Sequence, residues 1–259
     1  MENLKYFHDE IHHNLKASSI IVPLLVQKIK PKSVVDVGCG IGTFLNVFKK
    51  EGVRDIVGLD GEWVNTELLK KYIDIESLKI VDLEKVLILG RRFDLAVSLE
   101  VAEHIKESSV DVFVENLVNL SDVIVFSAAF PGQGGQNHVN EQWPSYWAEK
   151  FGKHGYGFYD VLRPIFWDNK DIDIWYRQNM FLVLKESKKY IVKAFVDNNS
   201  KKLLNFVHPE IFESHLQNSD RLQKLRIEMD KVLKGKADFK TYIKLILKYL
   251  LRKINLYRK

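Results

Sequence analysis

Apolar residues recur at every third or fourth position over residues 9–29 (Ile11, Leu15, Ile20, Ile21, Leu24, Leu25, Ile29), which predicts an amphipathic helix that stops before Pro31. The pattern then changes to short apolar runs that alternate with helical ones. Strands are predicted over 34–37, 55–59, 78–81, 93–98 and 122–128, and helices over 42–51, 65–72, 107–119 and 142–153. Strands that alternate with helices predict a parallel sheet covered on both faces. Two further strands, 156–166 and 174–185, are predicted on either side of the turn-rich Asp168-Asn169-Lys170-Asp171 and would close the sheet edge as an antiparallel hairpin.

Beyond Glu186 the pattern becomes lysine-rich and helical, with breaks at Asn198-Asn199-Ser200, Pro209 and Gly235. This predicts two parts, a domain over 1–185 with its N-terminal helix and a basic helical extension over 186–259. Charge divides at the same point: 21 Lys/Arg against 26 Asp/Glu before residue 186, and 18 against 8 after it. The last stretch, Phe239 to Lys259, holds seven Lys/Arg and no acid, with Tyr242, Ile243, Ile246, Leu247, Tyr249, Leu250 and Ile254 at helical spacing. A basic amphipathic helix of this kind suits an anionic membrane surface, RNA, or packing against the protein's own core or a second subunit. The expectations are therefore peripheral contact with a membrane and a homodimer built on the tail.

With 259 residues the chain can bury one substantial core and carry an appendage. Its single cysteine, Cys39, cannot form an internal disulfide, and no signal-type leader or spanning apolar run is visible. A reducing, cytoplasmic location is expected, with any membrane contact at the inner face.

The chemistry is concentrated after the first strand. Val34-Val35-Asp36-Val37 runs into Gly38-Cys39-Gly40-Ile41-Gly42 and then into a helix. Glycines let the backbone turn sharply and lie against a ligand, while the helix start presents free N–H groups. The spacing is not that of the dinucleotide fingerprint, and no Lys-Ser/Thr pair follows as in a triphosphate loop. The D-x-G-x-G-x-G form of Asp36, Gly38, Gly40 and Gly42 resembles motif I of the class I S-adenosylmethionine (SAM)-dependent methyltransferases. That resemblance covers about residues 30–185. It implies an α/β, Rossmann-like, seven-stranded and mostly parallel sheet with an antiparallel C-terminal hairpin, and SAM as cofactor. It also implies that Asp36, Gly38, Cys39, Gly40 and Gly42 hold the methionine part of SAM, that Asp60 beside Gly61 takes the ribose hydroxyls, and that Asp82 and Leu83 lie against the adenine.

Phe93 to Ile105 resembles the family's fourth motif, with Leu99 and Glu100 at the strand end beside the cofactor. Glu100, Glu103 and His104 stand at i, i+3 and i+4, so they share one face if a helix starts here. Two carboxylates and an imidazole suit a divalent ion, Mg²⁺ or Mn²⁺, with His138 as a fourth ligand. The E-x-x-E-H arrangement resembles that of ubiquinone-pathway O-methyltransferases and small-RNA 2′-O-methyltransferases. In other relatives the same residues serve as helix-start and substrate-pocket groups, and both readings stay open.

The loop from Phe130 to Pro144 is glycine-rich and polar at its centre, and Trp143, Tyr146 and Trp147 follow it or bound it. Its aromatics suit stacking against a sugar or planar group. His138 and His104 are the candidate catalytic residues, His138 as general base toward an acceptor hydroxyl. The expected reaction is O-methylation of a small polar or carbohydrate acceptor. The run Asn137-His138-Val139-Asn140-Glu141-Gln142 followed by Ser145-Tyr146-Trp147 resembles methyltransferases of surface-polysaccharide and glycan pathways. An RNA 2′-O-methyltransferase is the alternative, but the acidic body makes a nucleic-acid partner unexpected.

Overall fold

The computed structural model describes residues 14–195, 206–236, 238–244 and 247. It forms two compact units, residues 1–208 and residues 209–259.

The first unit is an α/β sandwich. Helix α1 (Leu15–Ile29) is capped by Asn14, whose Oδ1 accepts from Lys16 N at 2.9 Å, and it ends on Lys30 in a left-handed conformation (φ 55°) before Pro31. Residues 9–13 of the expected helix lie outside the described residues. Strand β1 (Ser33–Val37), helix α2 (Thr43–Lys50), strand β2 (Asp55–Asp60), the single turn α3 (Thr66–Leu69) and strand β3 (Leu78–Ile80) follow. After them come β4 (Leu95–Leu99), α4 (Val110–Leu120), β5 (Val123–Ser127) and α5 (Pro144–Gly152), all close to the predicted bounds.

The C-terminal half of the sheet departs from the sequence expectation. Strand β6 covers only Tyr156–Tyr159, and α6 (Arg163–Phe166) stands where the strand was expected to continue. Pro164 lacks the N–H that a ladder needs, and Arg163 turns back to hold Asp160 with Nε at 2.8 Å. The second expected strand divides into α7 (Ile174–Asn179) and β7 (Phe181–Lys185). Ile174-Trp175-Tyr176 favours a strand by propensity. Buried Arg177 overrides it by donating to the carbonyls of Ile172 (2.9 Å) and Trp167 (3.1 Å), which closes the segment into a helix.

The sheet order is β3-β2-β1-β4-β5-β7-β6, with β7 antiparallel to both of its neighbours and all other pairs parallel. Alternate residues feed two cores. One gathers Val34, Val97, Val125 and Leu182 under α1 and α2, and the other gathers Val35, Ala96, Ile124 and Val183 under α4 and α5. Because β1, β2, β4 and β5 run in parallel, the loops that follow them leave the sheet at one edge, where ligands bind in open α/β sheets.

The second unit contains α8 (Pro209–Leu233), then a turn at Gly235 and a helix start over 239–244. Much of the basic stretch expected to meet a membrane, including residues 248–259, lies outside the described residues. Among the described residues no helix is long and apolar enough to cross a membrane.

Candidate active site

The glycine loop is tied to the end of β2. Gly38 N and Cys39 N both donate to Leu59 O, at 2.7 and 3.1 Å, and Gly40 N donates to Asp60 Oδ2 at 2.7 Å. Gly38, Gly40 and Gly42 all have positive φ (80°, 55° and 82°). At Gly38 a Cβ would collide with the side chain of Val101, so bare backbone is required there on two counts. Asp60 Oδ1 accepts from Gly61 N at 2.7 Å, which leaves lone pairs on both oxygens for a diol.

Asp36 and Asp60 are both buried at this edge. Burial, with the charge of Asp60 added, pushes the Asp36 carboxyl up to about 8. Burial pushes Asp60 to about 6 against the hydrogen bonds from Gly40, Gly61 and Trp63. Two carboxyls held in this way suit a cationic ligand, whose charge offsets the cost of ionising them. Cys39 is buried with its Sγ toward Gly40 O at 3.8 Å. Asp82 lies at the more open end, where it accepts from Glu84 N at 3.0 Å and pairs with Lys85 at 3.0 Å beside buried Leu83.

After β4 the chain does not start an α-helix at Glu100. Glu100 is left-handed (φ 55°), and Ala102–His104 forms a 3-10 turn. The three residues expected to share one face, Glu100, Glu103 and His104, therefore separate. Glu103, His104 and His138 come together, with one candidate ligand atom from each lying within 4.8 Å of the others. Glu100 points elsewhere, accepting from Gln133 Nε2 at 2.9 Å and from Asn179 Nδ2 at 3.1 and 3.3 Å.

Glu103 is fully buried, and no side chain hydrogen-bonds to its carboxylate oxygens; the backbone N–H groups of Glu103 and Ala129 favour its charged form. Burial first, then the charge of Glu100, raises its carboxyl well above the usual range. His138 Nε2 stands 4.0 Å from Glu103 Oε1, and the two imidazoles meet edge to face at 4.9 Å. Burial first, then His138, lowers His104 to about 4, so it is a neutral ligand at ordinary pH. A buried carboxylate without a side-chain partner is costly unless a cation or a proton completes it. The trio thus fits a small divalent ion.

Glu141 organises the loop after β5. Its oxygens accept from Gly132 N and Gly134 N, both at 2.7 Å, and from His138 Nδ1 at 2.8 Å. That contact places a proton on Nδ1 and turns Nε2 toward Glu103. Val139 N and Asn140 N bond back to Glu103 O at 2.9 and 3.0 Å, which clips the loop onto the 3-10 turn. Trp143 lies beside Phe130 at the rim with 39 % of its surface exposed. Asn179, Gln133 and Glu141 were not singled out from the sequence. Glu141 had a signal there, an acid three residues after a candidate base, whereas Asn179 had none.

A seven-stranded sheet of this order, with a glycine cradle and an acid at the end of β2, defines a SAM-dependent methyltransferase fold. The methyltransferase-domain family matches residues 10–168, more than half of the chain, and the protein belongs to that family. It is 30% identical over 89 residues to the ubiquinone biosynthesis O-methyltransferase of Methylobacterium sp. (strain 4-46), a match that spans 33% of this chain and 35% of that protein. The chain thus spans about a third of the length of that curated relative. Among solved structures, the sugar N-methyltransferase KedS8 from Streptoalloteichus sp ATCC 53650 is similar in fold (TM-score 0.54, 14% identity, covering 71% of this chain and 95% of that one). So is the SAM-bound magnesium protoporphyrin IX methyltransferase from Synechocystis PCC 6803 (TM-score 0.50, 16% identity, 71% and 88%).

Proposed function

We propose that this protein transfers the methyl group of SAM to a hydroxyl of a small polar or carbohydrate acceptor, with a divalent cation held by Glu103, His104 and His138. The observation that carries this reading is the buried Glu103 carboxylate, which no side chain hydrogen-bonds, gathered with two histidines of which one is held neutral. SAM already carries an electrophilic methyl, so the protein's work is alignment of the acceptor and removal of its proton. A hydroxyl needs that second step far more than an amine does. The pKa of that hydroxyl would be lowered by a Mg²⁺ or Mn²⁺ ion held by Glu103, His104 and His138. His138, with Nδ1–H held by Glu141, presents Nε2 as ligand or proton acceptor. The glycine cradle with Asp36 and Asp60 is the SAM site in this reading, and Asp82 with Leu83 bounds its adenine end.

Trp143, exposed against the buried ring of Phe130 at the mouth of the loop, supports a sugar-like acceptor, and the name of the curated relative supports oxygen as the methylated atom. The surface-polysaccharide setting rests on the loop pattern alone.

The test is methyl-labelled SAM added with purified protein to a methyl-deficient extract, with and without chelator. Label in a sugar or glycan fraction that disappears with chelator is the expected result. Label in RNA, or chelator-resistant transfer that survives Glu103→Gln, overturns the reading. Mn²⁺ binding followed by electron paramagnetic resonance, lost in Glu103→Gln, checks the metal independently of any acceptor.

A further inference from the structure

Helix α8 is a 25-residue helix, about 37 Å long, and one of its faces is both apolar and open to solvent. Leu222, Leu225 and Met229 are 67, 49 and 64 % exposed. They fall at the 3-then-4 spacing of a coiled-coil seam, which Val232 continues. Such an exposed seam is unusual, because helical stability in water comes mostly from packing an apolar face. Among the described residues the following segment touches it only near Val232, through the Tyr242 hydroxyl that donates to Val232 O at 3.1 Å.

Charge distinguishes α8 from the rest of the extension. The helix carries four Lys/Arg against five Asp/Glu, whereas residues 234–259 carry nine against one. A balanced helix suits a protein surface of mixed charge better than an anionic membrane.

The residues flanking the seam select the partner. With Leu222 and Met229 at a positions and Leu225 at d, Arg221 and Glu228 occupy g, Arg226 occupies e, and Phe212 and Leu233 also fall at e. If two copies ran parallel, Arg221 would face Arg226 of the other copy, a repulsive pair made twice. If they run antiparallel with Leu222 of one copy against Leu225 of the other, Arg221 faces Glu228 twice. The same register sets Phe212 (55 % exposed) against Leu233 (80 % exposed). One alignment thus pairs the leucines, the charges and the outer apolar residues, and it sets Met229 and Val232 against Asn218 and His215 of the other copy.

We propose that α8 is a self-association surface, pairing antiparallel with α8 of a second copy of this chain in that register. It lies outside the SAM and acceptor residues and does not depend on the proposed reaction.

The test uses the full chain and sedimentation velocity over a wide concentration range at low salt. The wild type is expected to dimerise. Arg221→Glu and Glu228→Arg each turn two attractive pairs into two repulsive ones, so each variant alone is expected to weaken the dimer about tenfold or more. An equimolar mixture of the two variants restores both attractions and is expected to dimerise again, which also shows that neither variant failed by misfolding. A parallel pairing predicts the opposite sign, since Arg221→Glu would then strengthen association. A monomeric wild type, a strengthened Arg221→Glu variant, or a mixture that stays monomeric overturns the proposal. So does a monomer whose α8 is covered by residues 248–259 or binds anionic vesicles.

Discussion

Asn179 Nδ2 lies 3.1 and 3.3 Å from the two carboxylate oxygens of Glu100, a residue 79 positions earlier in the chain. The same amide reaches Gln133 Oε1 at 2.8 Å, and Gln133 Nε2 returns to Glu100 at 2.9 Å. Three segments, the end of β4, the loop after β5 and the end of α7, are thereby closed on one carboxylate. Burial raises the Glu100 carboxyl while these hydrogen bonds oppose it. Without them a buried charge would lack support.

Asn179→Asp replaces the donating amide with a second carboxylate. We expect a loss of about 1–3 kcal/mol of stability from the lost hydrogen bonds and the added repulsion. Methyl transfer is expected to fall about tenfold or more, while SAM affinity holds. The double variant Glu100→Gln with Asn179→Asp reverses the polarity of the pair and should recover stability in a thermal melt. If the single variant melts like the wild type, this contact does not hold the site.

Glu141→Gln tests the loop fastening. The new amide meets at least one of the N–H groups that the carboxylate accepted, so one donor faces another. We expect faster amide exchange across 130–143 and weaker Mn²⁺ binding, because His138 loses the charged partner that orients its ring. Unchanged exchange together with unchanged Mn²⁺ affinity would refute the role.

The features readable from the sequence were those fixed locally. The glycine cradle depends on positive φ at neighbouring positions and on an acid at a strand end, so Asp36 to Gly42 and Asp60 were visible as a unit. Glu103 and His104 are adjacent, and they remain so in the 3-10 turn. Glu100 was expected on their face because the sequence implied α-helical spacing, but its left-handed backbone turns it away. Asn179 was hidden because Ile174-Trp175-Tyr176 favours a strand. Contacts of Arg177 to residues five and ten positions back decide otherwise. The β6–β7 connection is therefore a tertiary feature, and it supplies part of the site.

At Gly38 two constraints coincide and can be separated. Gly38→Ala adds a Cβ that strikes Val101 and holds an L-residue at φ 80°. We expect a stability loss of about 1–3 kcal/mol and weaker SAM binding by titration calorimetry. Adding Val101→Ala removes the collision but leaves the backbone strain, so recovery should be partial. Full recovery in the double variant would mean that the φ requirement is negligible; no recovery would mean that the collision is.

Asp36 is expected to make cofactor binding pH-dependent. Its carboxyl is pushed up to about 8, so in the cofactor-free protein at pH 7 it is largely protonated. A group whose folded value is raised above its unfolded one costs stability once pH exceeds the unfolded value, and the cost grows until the folded value is passed. Cofactor-free protein should therefore lose stability as pH rises toward about 8. Asp60, at about 6, and His104, at about 4, add little to the trend between pH 7 and 8, whereas the raised carboxyl of Glu103 adds a slope of the same sign to that of Asp36. The sulfonium and ammonium charges of SAM favour the ionised carboxylate, so binding at pH 7 should expel up to about one proton. Calorimetry in buffers of different ionisation enthalpy measures that proton directly. Asp36→Asn should abolish the release and reduce the stability slope, leaving the part that Glu103 contributes. Proton uptake, or a release that Asp36→Asn leaves untouched, would place the titrating group elsewhere.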